Sequence, residues 1–144
     1  MVMSILVSLG SIVLLYKGHI KDFCIIAVSA ITAMCISYTL KLMLHIPRPM
    51  HMLVEQYDYR FPSGHATMAA VVATLCVYYS HRYITDKPLR YALYLISLAW
   101  FLTVSCSRLY LGVHLPIDIL AGGLIGMGST LAIIQIFKHF RYYR

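Results

Sequence analysis

Three short polar constellations interrupt an otherwise strongly apolar chain, and their residue types could together do phosphoryl chemistry. Lys41 and Arg48 lie seven residues apart beside Pro47 and Pro49. If the helix before them ran on to Pro47, two turns would place both cations on one face. Taken alone, such a pair serves as snorkelling anchors. With Arg108 on the same side of a membrane, three fixed cations make a site for a multiply charged anion, and the two Arg forks suit phosphate oxygens.

Pro62-Ser63-Gly64-His65 opens an apolar run. Ser63 is a natural N-cap, and Gly64 lets the backbone approach a ligand, so the helix N-terminus can receive an anion's oxygens. His65, in the first turn, is placed to give or take a proton. The third constellation, Ser107-Arg108-x5-His114-x3-Asp118, is the most informative. A helix opening near Leu115-Pro116 sets His114 and Asp118 four apart, where the carboxylate can hold one ring nitrogen and leave the other as a nucleophile. A metal site from His65, His114 and Asp118 is the competing reading. The three neighbouring cations oppose it, because they repel a divalent ion.

The elements that must position these groups follow from composition. Of 144 residues, 60% are hydrophobic and 12% charged, with 12 Lys plus Arg against 5 Asp plus Glu. A soluble domain carries about 25% charged residues, so the chain reads as a membrane protein. Its basic surplus reads as topology signals rather than a nucleic-acid surface. Apolar runs span Val2 to Tyr16, Phe23 to Leu44, Gly64 to Ser80, Tyr91 to Ser105 and Asp118 to Phe137. They are continuously apolar, without the period-2 alternation of a β-barrel. The expectation is an all-α polytopic bundle of about five spans forming one domain over residues 1–144. The first run is short for a bilayer at about 22 Å and reads as a retained span, because no basic n-region precedes it and no small-x-small site closes it. Cys24, Cys35, Cys76 and Cys106 form no paired motif and read as small hydrophobes.

Alternating the aqueous segments gives one side eight basic residues: Lys17, Lys21, Arg82, Lys87, Arg90, Lys138, Arg141 and Arg144. The other side has Lys41, Arg48, Arg60 and Arg108. The positive-inside bias makes the first side cytoplasmic, so the N-terminus and all three constellations face outward.

At these residues the chain resembles the type 2 phosphatidic acid phosphatase superfamily, the lipid-phosphatase relatives of vanadium haloperoxidases. The tripartite signature K-x6-R-P, P-S-G-H and S-R-x5-H-x3-D is met at Lys41 to Pro49, at Pro62 to His65 and at Ser107 to Asp118. The resemblance implies that Lys41, Arg48, Ser63, Gly64 and Arg108 bind phosphate, and that His114 attacks phosphorus to form a phosphohistidine. Asp118 would orient His114, and His65 would protonate the leaving oxygen. Water then frees phosphate without metal or other cofactor. His114 must be neutral and His65 protonated, so a bell-shaped pH profile is expected. Arg60, left over, is expected at the rim as a headgroup contact. Membrane members of the family usually have six spans, with two before the Lys motif, where this chain shows one short run.

The function so implied is hydrolysis of a phosphorylated lipid at the outer face of a bacterial cytoplasmic membrane. Undecaprenyl diphosphate is the first choice of substrate; phosphatidylglycerophosphate, phosphatidate and lipid A phosphates are alternatives. Two other readings are a phosphotransferase, in which an alcohol replaces water, and a non-enzymatic anion-binding subunit. The loop from Met50 to Tyr59 is the expected headgroup contact.

Overall fold

A computed structural model describes residues 19–48, 52–54 and 56–142. The expected first span, Pro49, and parts of the loop after it lie outside the described residues. Four helices follow in chain order: α1 (Ile20–Leu44), α2 (Gly64–Tyr83), α3 (Lys87–Tyr110) and α4 (Pro116–Tyr142). The expectation of a helical membrane bundle is met. Three of the four, α1, α3 and α4 as far as His139, are long and apolar enough to cross a bilayer.

The fourth, α2, is the central helix and packs against the other three. Its neighbours are the other helices, and most of its buried residues are small, Ala66, Thr67, Ala69, Ala70, Val71 and Ser80, with Leu75 the larger exception. The outward faces carry the large apolar side chains, among them Ile31, Leu95, Leu98 and Leu124. The inward stripes are small or polar. In α1 the buried residues Ser29, Ala33, Ser37 and Lys41 recur every four positions, which turns Lys41 into the bundle. In α4 the stripe is Asp118, Gly122, Gly126, Thr130 and Ile134.

The glycines of that stripe set the distance between α4 and α2. A Cβ on Gly122 would lie 2.6 Å from the Ser63 carbonyl oxygen, and one on Gly126 would overlap the Thr67 carbonyl. Neither neighbour can move aside easily: both are backbone carbonyls, one of the cap residue that accepts the Thr67 N–H and the other of the helix itself. The close crossing lets the Ser63 N–H donate to the Asp118 carbonyl at 3.0 Å, tying the start of α2 to the start of α4. At the opposite end, buried Asp22 of α1 receives Arg82 at 3.0 Å and the Tyr83 hydroxyl at 2.7 Å, so Arg82, expected only as a topology signal, also clasps α1 to α2.

The crossing predicts an asymmetry among the glycines of α4. Gly126→Val should destabilise the bundle by about 2 kcal/mol or more through overpacking. Gly128→Ala, with nothing within 4 Å of its Cβ, should be neutral or stabilising by up to about 1 kcal/mol from helix propensity. Thermal unfolding in detergent compares the two.

Candidate active site

Sequential antiparallel packing brings the C-terminal ends of α1 and α3 and the N-terminal ends of α2 and α4 to one end of the bundle. All three constellations meet there. Helix α1 stops at Leu44, not at Pro47: His45 takes a left-handed conformation (φ 48°) and its N–H bonds the Lys41 carbonyl at 3.2 Å. Arg48 therefore reaches Lys41 through a turn, and the continuous helical face expected for the pair is corrected. The returning strand of loop is pinned by Arg60 N–H to the Ile46 carbonyl at 3.0 Å and by the His45 ring edge against Tyr59.

Both cations are nearly buried, with side chains 10% (Lys41) and 5% (Arg48) exposed. Arg48 donates from Nη1 to the Val113 carbonyl at 2.7 Å and from Nε to the Asp58 carbonyl at 2.9 Å. Lys41 donates to the Tyr59 carbonyl. Between the two sits the Asp58 carboxylate, with Oδ2 2.9 Å from Lys41 Nζ and Oδ1 bonded to Arg48 Nη2. Burial alone would raise the Asp58 pKa; the hydrogen bonds and charges of Lys41 and Arg48 outweigh it and hold the carboxyl below its ordinary value.

Ser63 caps α2, its Oγ accepting the Ala66 N–H at 3.4 Å, and is fully buried. Gly64 has only Met34 near its missing Cβ, at 3.8 Å, so protein packing alone does not demand a glycine there. His65 is exposed in the first turn. The Arg108 guanidinium folds onto its neighbour Ser107, with Nε and Nη2 at 3.2 and 3.1 Å from Oγ.

His114 sits just before α4 and is buried. Its Nδ1 lies 3.6 Å from Asp118 Oδ2, within ion-pair reach and beyond a hydrogen bond. The same Oδ2 accepts the Leu115 N–H at 2.7 Å, which fixes the carboxylate at the helix start. Burial is the main influence on His114. Together with the charges of Arg48 and Lys41 and the neighbouring His65, it pushes the pKa down to about 4 against the opposing pull of Asp118. The ring is thus neutral near pH 7. Lys41, Arg48, Asp58, Gly64, His65 and His114 line one cavity of about 310 Å³. Ser63 and Asp118 are fully buried and do not line it, and Arg108 is also outside the lining.

Residues 22–142 match the family model described as the PAP2 superfamily. The chain belongs to that superfamily. Over 133 residues it is 26% identical to an undecaprenyl-diphosphatase of Sulfolobus acidocaldarius, covering 88% of this chain and 60% of the relative. Over 77 residues it is 35% identical to phosphatidylglycerophosphatase B of Bacillus subtilis, covering 52% of this chain and 37% of the relative. The chain therefore spans less than two thirds of the length of these relatives. The crystal structure of a transmembrane PAP2 type phosphatidylglycerolphosphate phosphatase from Bacillus subtilis superposes with a TM-score of 0.70 at 24% identity. That match covers 99% of this chain and 78% of the other, and it establishes the shared fold. With the bilayer-length helices, it makes this PAP2 member an integral membrane protein.

Two contributions were not read from the sequence. One is Asp58, which the sequence marks only as part of the Met50 to Tyr59 loop, although two buried cations in a chain of five acidic residues need a counter-ion. The Gly122-x3-Gly126 spacing is a helix-approach signal that the sequence displays. Arg60, expected at the rim, has its Nε 3.7 Å from Asp118 Oδ1 and a side chain 19% exposed, and it is not among the residues that line the cavity.

An incoming anion must compete with Asp58 for Lys41 and Arg48, both of which keep backbone acceptors when the carboxylate leaves. Asp58→Asn should therefore tighten competitive inhibition by inorganic phosphate about three- to tenfold, the scale of a partly exposed ion-pair network; weaker inhibition would show that Asp58 builds the site instead. The low His114 pKa sets a second expectation. The acid limb of kcat/KM, which reports the free enzyme, should fall near pH 4 and not near 6.5, as read from a pH profile in detergent.

Proposed function

We propose that this PAP2 chain hydrolyses a phosphomonoester or diphosphate lipid headgroup through a phosphohistidine at His114. The observation that carries the reading is the convergence of two buried cations and a buried, neutral, carboxylate-backed histidine on one cavity. Phosphoryl transfer needs chiefly positioning and stabilisation of charge on the equatorial oxygens. Lys41 and Arg48 supply that charge once Asp58 is displaced. Arg108, released from Ser107, and the N–H groups at the start of α2 beside Ser63 and Gly64 complete the cradle.

In the first step His114 Nε2 attacks phosphorus; the P–N bond forms as the bond to the leaving oxygen breaks, and His65 gives that oxygen its proton. Asp118 faces Nδ1 and stabilises the positive charge that develops on the ring. In the second step water, deprotonated by His65, attacks phosphorus, the P–N bond breaks, and phosphate leaves. The cations perform the electrostatic work that a divalent ion performs elsewhere, so the reaction is proposed to be metal-independent.

Undecaprenyl diphosphate is the proposed first substrate, supported by the relative matched over most of this chain; phosphatidylglycerophosphate is the alternative, supported by the other relatives. The charge bias supports a site on the outward face of a bacterial cytoplasmic membrane. A panel of mono- and diphosphates on prenyl and diacyl tails, assayed for phosphate release, tests both reaction and substrate. Release should survive EDTA and fall at least about a thousandfold in His114→Ala, the scale of losing a catalytic nucleophile. Unchanged release in that variant overturns the mechanism, and release that requires an added alcohol identifies a phosphotransferase.

A further inference from the structure

Three buried polar atoms without a hydrogen-bond partner stand together beneath the cavity: Arg60 Nε, Asp118 Oδ1 and His114 Nδ1. Their spacing is ordered. Arg60 Nε is 3.7 Å from Oδ1 on one side of the Asp118 carboxylate, and His114 Nδ1 is 3.6 Å from Oδ2 on the other. Unpaired buried polar groups are rare enough that three around one carboxylate call for an explanation. A contraction of under an ångström at each gap converts both contacts into charge-assisted hydrogen bonds.

We infer that Arg60 is a positioning residue that acts on His114 through Asp118. The inference rests on the phosphohistidine reading above and adds a residue to it. Asp118 is completely buried, and a buried carboxylate needs a counter-charge. His114 cannot serve while it is neutral. Arg60 provides the charge from the loop, where its own N–H is fixed to the Ile46 carbonyl. It also decides orientation: with Oδ1 turned to Arg60 and Oδ2 holding the Leu115 N–H, Oδ2 is the oxygen that faces the histidine. Arg60 lies off the cavity lining, which distinguishes this role from a direct headgroup contact.

The role differs from a headgroup contact in what each kinetic parameter does. The groups acting on the His114 ring are Arg48 and Lys41 from the cation pair, His65 from α2 and Asp118 from α4. Removing Arg60 leaves Asp118 uncompensated and strengthens its pull on the imidazole proton. In Arg60→Gln, with dioctanoyl phosphatidate in detergent, kcat should fall about tenfold to a hundredfold, the scale of a misplaced reacting group. KM should stay within about twofold, and the acid limb of kcat/KM should rise by roughly 0.5–1 pH unit. Arg60→Lys keeps the charge without the fork; it should lower kcat while leaving the acid limb in place, and it decides alone if Arg60→Gln does not fold. A raised KM with unchanged kcat in either variant overturns the inference in favour of a headgroup contact, as does an unmoved acid limb in Arg60→Gln or unchanged kcat in Arg60→Lys. His114→Ala assayed in parallel separates the two levels: release that does not depend on His114 refutes the phosphohistidine reading itself.

Discussion

The close crossing of α4 over α2 is the constraint on which the rest of the molecule depends. Gly122 and Gly126 remove the side chains that would hold the two backbones apart, and Ser63 then bonds directly to Asp118 across the gap. Two constellations more than forty residues apart in sequence become one rigid unit by that contact. In lipid, where burial of apolar surface between helices gains little, such close backbone approach and the contacts it allows are the main source of cohesion. The same contact therefore serves stability and site geometry, and neither can be altered alone.

The interior of this bundle is more polar than its exterior. Ser29, Ser37, Lys41, Thr67, Asp118 and Thr130 are buried, while large apolar side chains face outward. Much of this polarity is satisfied locally: Thr67 and Thr130 donate to carbonyls one turn back. At the end of the bundle that holds the cavity, the unpaired buried atoms include Arg60 Nε, His114 Nδ1 and Asp118 Oδ1, with Ser37 Oγ in the cavity wall. Part of the polarity that helix backbones do not absorb thus lies beside the cavity, behind the His114 that lines it.

Much of this was legible in the sequence, for identifiable reasons. Long apolar runs mark helices that lipid will enclose, and Ser63 and Asp118 at helix starts are local signals whose capping partners lie within four residues. The spacing of His114 and Asp118 survives because α4 begins at Pro116, where proline costs least. What failed to show were effects of tertiary path. The helix stop at Leu44 depends on His45 adopting a conformation that non-glycine residues seldom take, and the inward turn of Arg60 depends on a carboxylate brought from another helix. Asp58 was equally silent, because nothing local ties it to cations that precede it by 10 and 17 residues.

The carboxylate of Asp58 also bears on what the resting molecule presents to its surroundings. Two cations at a membrane face, left bare, would draw in any anionic headgroup and hold it. With a tethered counter-ion in place, entry of an anion becomes ion exchange: one negative group leaves as another arrives. The affinity for any such anion is then a difference between two similar interactions. Because the counter-ion is part of the chain, it returns to the two cations from a tether and not from solution when an anion leaves.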